Sequence, residues 1–128
     1  MFKYNTVEEA INDIKSGKMI IIADDEGREN EGDLVMAAEK VTGEAINFIA
    51  TYAKGLICMP ASRELLQKLN VGQMVDKNTD NHCTAFSVSI DHIDTTTGIS
   101  AYERAYTVQK FAEDKAKPQD FRRPGHIF

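Results

Sequence analysis

The segment Asp24-Asp-Glu-Gly-Arg-Glu-Asn-Glu-Gly-Asp33 places six carboxylates and one arginine in ten residues. Carboxylates this close repel one another unless a cation or a basic group is near. Hard divalent ions such as Mg²⁺ or Mn²⁺ favour oxygen donors of this kind. The spacing is not that of an EF-hand, because the sixth position from Asp24 is Glu29 rather than glycine. Arg28 is placed either to pair within the segment or to hold a substrate anion. A solvated surface turn is the plain alternative. Against it stand Gly27 and Gly32, which permit tight backbone paths, and the apolar run that leads directly into the segment.

These ten residues carry the whole net charge of −5, and the remaining acidic and basic residues balance. No broadly basic face exists to bind nucleic acid. The longest apolar runs, Met19–Ala23 and Leu34–Ala38, are five residues each. A membrane-spanning helix needs about 20. The first residues lack the apolar core of a signal peptide. Cys58 and Cys83 form no Cys-x-x-Cys pair, so they read as reduced thiols of a cytoplasmic protein.

The elements that must position the acidic segment follow from periodicity. Thr6 and Glu9 make a capping-box pattern, and Val7, Ala10, Ile11 and Ile14 share one helical face, predicting a helix from Val7 to about Ser16. Met19–Ala23 reads as a buried strand. The acidic segment is then a loop between two apolar elements. A second helix is expected over Gly43–Lys54 after Thr42, a short strand over Leu56–Met59, and a third helix after Ser62. Residues 70–83 read as a polar loop. Thr84–Ile90 alternates strictly, the clearest strand pattern in the chain. Ser100 and Glu103 open a helix to about Glu113, and Lys115–Pro124 reads as a charged connection. The length of 128 residues fits one domain spanning residues 1–128.

Several residues keep two readings at this level. Cys58 ends an apolar run, where a buried structural thiol and a reactive one are both open. His82 and His92 read as surface or loop histidines. Thr95-Thr-Thr97 reads as an extended segment ahead of the Ser100 cap, and Glu103 as a capping residue first.

The acidic segment resembles the signature loop of the 3,4-dihydroxy-2-butanone 4-phosphate synthase family of riboflavin biosynthesis. The similarity continues in the same order through Gly55–Cys58, Thr79–Asp91, Thr96–Ala101 and Arg123-Pro-Gly-His-Ile-Phe128. The resemblance implies an α+β fold, a mixed β-sheet flanked by helices. It implies a lyase that converts D-ribulose 5-phosphate to L-3,4-dihydroxy-2-butanone 4-phosphate and formate with Mg²⁺ or Mn²⁺, working as a homodimer. Carried over by position, Glu29 is a metal ligand, and Arg28, Glu29 and Asp33 meet the substrate. Glu31 lines the same site, His126 is the catalytic imidazole, and Cys58 lies near the substrate with Thr95–Ser100. In that family the chain continues past the Pro-Gly-His motif into a Gly-His-Thr-Glu-Ala motif, whose histidine is the second metal ligand. No Gly-His-Thr-Glu occurs in these 128 residues. The expectation is therefore a domain incomplete at its C-terminal side. By itself it would be an inactive or incomplete metal- and phosphosugar-binding unit.

Overall fold

The computed structural model describes residues 3–128. Helix α1 (Val7–Lys15) starts where the capping box places it. The Thr6 Oγ1 accepts from the Glu9 N–H at 3.2 Å, and the Glu9 Oε2 accepts from the Thr6 N–H at 2.7 Å. Strands β1 (Ile20–Ala23) and β2 (Gly32–Val35) form an antiparallel hairpin in the register Ile20↔Val35 to Ala23↔Gly32. Residues 24–31 of the acidic segment are the connection of that hairpin, and Gly32 and Asp33 open β2.

The expectation that β1 is buried is not met. Ile21 is 73% exposed and Ile22 50% exposed. β2 is its one strand partner, α1 touches it, and no described layer covers its apolar side chains. A β-branched run thus specifies the strand without supplying its cover.

The core lies elsewhere. Helix α2 (Gly43–Tyr52), capped by Thr42, packs against helix α4 (Ala101–Phe111), capped by Ser100. Helix α3 (Arg63–Lys68) starts at its Ser62 cap. Strand β3 (Ile90–His92) pairs antiparallel with β4 (Phe121–Ile127) beneath α4. Leu69, Thr107, Phe111 and Ile127 are the largest fully buried side chains, and they tie these elements together.

The architecture is α+β, as expected. Its regular strands form two separate antiparallel pairs. A parallel component enters at one point. The Phe128 N–H donates to the Ile57 carbonyl at 3.2 Å, and the Met59 N–H donates to the Phe128 carbonyl at 2.7 Å. That is the bonding pattern of a parallel bridge, with Cys58 opposite Phe128. It is all that forms of the strand expected over Leu56–Met59.

Three other expectations are corrected. In Thr84–Ile90 only Ile90 belongs to a regular strand. The preceding residues include a tight turn, with the Phe86 N–H on the Thr84 carbonyl at 2.9 Å, and they face a short loop that supplies a Gln73↔Ser87 bridge and two flanking bonds, Met74 N–H to Phe86 and Val88 N–H to Gly72. Lys115–Pro124 is not all connection: a 3-10 turn at Pro118–Asp120 leads into β4 at Phe121. Charged neighbours hide that strand in the sequence because its alternating partners face solvent. His92 is not a surface residue. It is 7% exposed, with its ring edge-on to Tyr106 and Phe121.

The β3–β4 ladder is interrupted by a bulge. Asp91 pairs with Arg122 and Ile90 with Ile127, so Arg123-Pro-Gly-His126 has no residues opposite it. The Arg123–Pro124 peptide is cis. The Arg123 guanidinium holds the bulge by donating to the Leu69 carbonyl at 2.6 Å and the Phe121 carbonyl at 2.7 Å. Bulges of this kind re-aim side chains. Here the residue re-aimed is His126.

Among the described residues no helix is long and apolar enough to cross a membrane.

Candidate active site

The acidic loop is organised by its first residue, Asp24. Its Oδ2 accepts from the Glu29 N–H at 2.9 Å, and its Oδ1 accepts from the Glu31 N–H at 2.7 Å. The Asp24 N–H in turn donates to the Glu31 carbonyl at 3.2 Å. Arg28 pairs internally, with Asp24 at 3.0 Å and Glu29 at 3.2 Å. Asp25 tightens the turn by accepting from the Gly27 N–H at 2.8 Å. One carboxylate thus fixes the backbone at Glu29 and Glu31, while its charge is offset by Arg28. Sequence reasoning did not single out Asp24, and nothing in the residue order separates it from its five acidic neighbours.

The N–H groups of Glu31 and Glu29, and then Arg28, hold the Asp24 carboxyl below its ordinary range. For a carboxylate lowered in the folded state, the stabilisation is present above the unfolded value, near 3.9 for Asp. It is lost as the pH falls through the lower folded value. We therefore expect the Glu29 and Glu31 amide resonances to hold their positions down to that range and to move together below it. Asp24→Asn should broaden both at neutral pH. Independent titration of the two amides would contradict a loop hung on Asp24.

Cys58 joins this loop to the end of β4. Cys58 is an exposed cysteine rather than a buried structural one, and local desolvation, then the negative charge of Asp33, pushes its thiol up. It is therefore a neutral thiol at neutral pH, unsuited to act as a thiolate nucleophile. Its bridge partner Phe128 lies on the same face as Cys58, and strand alternation puts His126 on that face while Ile127 enters the core.

His126 is half-buried and firmly held. Its Nδ1 lies 2.8 Å from the Asp91 Oδ2, and its backbone N–H donates to the Asp91 Oδ1 at 2.9 Å. The preceding Gly125 N–H donates to the Ser89 Oγ at 3.1 Å. Asp91 itself is 6% exposed. Sequence reasoning missed Asp91. Its one signal is a carboxylate directly after the best alternating run, and its pairing with a histidine 35 positions away depends on the bulge.

The Thr95–Ser100 segment is a loop rather than an extended strand, clamped by Glu103. The Glu103 carboxylate accepts from the Thr96 N–H at 2.5 Å, the Thr96 Oγ1 at 2.8 Å and the Gly98 N–H at 3.1 Å. Those bonds, the Thr96 N–H first, hold its carboxyl below the usual range. Glu103 therefore does more than cap α4. His82 sits in an exposed turn, its N–H bonded to the Asp80 Oδ2.

The predicted site residues thus form two groups. Arg28, Glu29 and Glu31 share the Asp24-centred loop, and Asp33 links it to Cys58. His126 stands with Asp91. Among the described residues no hydrogen bond or ion pair joins His126 to the acidic loop. The carboxylates suit a hard cation in kind. In number they fall short, since among the described residues no three His, Cys, Asp or Glu side chains gather as a metal-holding group.

Comparison with known proteins gives the family. The chain is 55% identical over 125 residues to the riboflavin biosynthesis protein RibBA of Bacillus subtilis, covering 98% of this chain and 31% of that protein. It is 58% identical over 130 residues to the RibBA protein of Aquifex aeolicus, covering 99% of this chain and 32% of that protein. It therefore spans about a third of the length of these curated relatives. Among solved structures, a 3,4-dihydroxy-2-butanone 4-phosphate synthase in complex with two magnesium ions matches with a TM-score of 0.95 at 42% identity, over 98% of this chain and 59% of that one. RibBX of A. baumannii, a two-domain 3,4-dihydroxy-2-butanone 4-phosphate synthase, matches with a TM-score of 0.91 at 50% identity, over 97% of this chain and 37% of that one. The family model for 3,4-dihydroxy-2-butanone 4-phosphate synthase runs from residue 8 through residue 128, so both groups of site residues fall inside it, and the chain belongs to that family.

Proposed function

We propose that this chain forms part of a lyase that converts D-ribulose 5-phosphate to L-3,4-dihydroxy-2-butanone 4-phosphate and formate in riboflavin biosynthesis. The observation that carries the reading is the family match over residues 8–128, which spans both the acidic loop and His126. The chemistry fits the residues. Arg28, 57% exposed at its side chain, offers its outer face to an anion while Asp24 and Glu29 orient it. Glu31 and Asp33 are exposed carboxylates able to move protons at sugar hydroxyls. His126 is the proposed proton carrier beside the ketone. Cys58, a neutral thiol, serves the site through packing and hydrogen bonding rather than nucleophilic attack.

Mg²⁺ or Mn²⁺ is the proposed cofactor, and Glu29 is the carboxylate of this chain that would meet it. Bound there, such an ion supplies Lewis-acid stabilisation of developing oxyanion charge. The solved relative that holds two magnesium ions supports this choice. A homodimer is proposed with it, as is a cytoplasmic setting. The exposed segment 72–83 is the surface that would reach a neighbour.

A second reading has one observation in its favour. Among the described residues the donors that would fix a metal for turnover fall short in number, while the exposed Arg28 remains able to hold a phosphosugar, which suits a binding unit without turnover. Formate release from ribulose 5-phosphate, assayed on a full-length protein that carries this chain, decides between the two. The lyase reading expects release that stops on chelation and returns with Mg²⁺ or Mn²⁺. It also expects Glu29→Gln to weaken calorimetric metal binding about tenfold or more, since second-row effects alone reach that size. Metal binding without formate would establish the second reading, and neither binding nor release would defeat both.

A further inference from the structure

We propose that the cavity between the end of β3 and the turn that follows α4 is a binding site for a small phosphorylated molecule that carries hydroxyl groups. The cavity holds about 380 Å³. That lies at the low end of the range of small-molecule sites, ~300–1,000 Å³. His92, Asp94, Tyr106, Lys110, Lys115 and Lys117 are among the residues that line it. Asp91 and His92 are consecutive residues of β3, so their side chains leave the strand on opposite faces. The cavity is therefore separate from the face on which Asp91 meets His126, and the inference does not depend on the lyase reading.

The wall contains a buried histidine with one nitrogen left over. His92 is 7% exposed, and its Nδ1 accepts from the Asp94 N–H at 3.2 Å. A backbone N–H only donates, so the ring proton lies on Nε2. That N–H has no hydrogen-bond partner among the described residues. Buried polar groups are normally paired, so such a donor on the wall of a cavity calls for an acceptor from outside the chain. Three ammonium groups stand around it. Lys110 and Lys115 share the one carboxylate of Glu113, at 2.6 Å and 3.5 Å, and Lys117 has no ion pair among the described residues. Asp120 lines the cavity too, with its Oδ2 accepting from the Lys117 backbone N–H at 2.8 Å. The Asp94 Oδ2 takes the Tyr106 hydroxyl at 3.4 Å, and the Lys110 Nζ lies 5.4 Å from the Tyr106 ring centre. By formal charge the three lysines balance Asp94, Glu113 and Asp120, so placement rather than net attraction selects the ligand. Ammonium groups that share one carboxylate suit a phosphate. Asp94 and the Tyr106 hydroxyl suit hydroxyl groups, and the His92 Nε2–H suits an oxygen of either kind.

The test uses ribose 5-phosphate and inorganic phosphate as probes of a full-length protein that carries this chain, with side-chain ¹⁵N NMR of His92 as the readout. Before either probe is added, Nε2 should be the protonated nitrogen. Both probes should shift its resonance. The Kd read from that shift should be about tenfold lower for ribose 5-phosphate, the size of one hydrogen bond to a charged group such as Asp94. Lys115→Gln combined with Lys117→Gln should weaken both probes about fivefold or more, as the loss of exposed charge pairs does. Arg28→Ala should leave the His92 shift in place, which separates this cavity from binding at the acidic loop. A protonated Nδ1 in the unmodified protein overturns the proposal. So does a His92 resonance that neither probe moves, an affinity unchanged in the lysine variant, or equal affinity for the two probes. A shift lost in Arg28→Ala places the ligand at the acidic loop and overturns it as well.

Discussion

His126→Asn is expected to reduce formate release about 10²- to 10⁴-fold, the range over which a positioned proton-transfer group acts, with little change in stability. The choice of asparagine matters. Its amide nitrogen lies close to the place of the imidazole Nδ1, so it can still donate to the Asp91 Oδ2, which lies 2.8 Å from that atom. The backbone N–H of residue 126 keeps its bond to the Asp91 Oδ1. Asp91 is therefore left satisfied, and the cost of a buried polar group without a partner, about 1–3 kcal/mol, is avoided. What the variant lacks is Nε2. His126→Ala lacks both nitrogens and should lose stability as well as rate. Urea unfolding measured beside formate kinetics separates the two. A His126→Asn protein that turned over within tenfold of the unmodified one would show that Nε2 carries no proton in the reaction.

Gly125→Ala is expected to be among the most destabilising single-methyl additions in the chain. The new Cβ would meet the carbonyl carbon of Ile90 at 2.1 Å, the Asp91 nitrogen at 2.3 Å and the Ile90 oxygen at 2.4 Å. All three are backbone atoms of β3, and Ile90 is buried at 4% exposure. Overpacking costs about 1–3 kcal/mol where side chains can shift, and more where they cannot. We expect a loss of about 3 kcal/mol or more, read as a lower urea midpoint, with His126 also displaced from Asp91. Gly43→Ala is the control. Its Cβ would approach the Tyr102 ring at 2.3 Å, nominally as severe a clash. Yet Tyr102 is 68% exposed and can swing away. Alanine also improves a helical position by up to about 1 kcal/mol. That variant should therefore stay within about 1 kcal/mol of the parent. Equal effects from the two changes would mean that β4 yields at the bulge.

Local elements were legible where short-range physics determines them. Thr6, Thr42, Ser62 and Ser100 all cap the helices they were read to cap, because an N-cap bond spans three residues. The acidic residues announced their segment by charge alone, and two apolar runs bracket it as strands of one hairpin. The Pro-Gly-His motif was visible as a motif and a strand was legible at His126-Ile127-Phe128, but its start at Phe121 was not, since Arg122 and Arg123 break the apolar alternation of β4. Burial was the weakest inference. Ile21 and His92 came out opposite to expectation because exposure depends on which distant element lies above a residue.

For this protein, the residue order by itself determined the helix starts, the charge of the hairpin loop and the identity of the chemical groups. Tertiary structure decided how those groups are used. It made Asp24 the anchor of a loop in which all six carboxylates looked alike, and it set Asp33 close enough to raise the Cys58 thiol. It also turned His126 onto Asp91 through a bulge that only the β3–β4 register creates. The reason is physical. Capping and charge act over a few residues of one chain segment, whereas a buried carboxylate finds its partner only after two strands have paired and two glycines have let their backbones close.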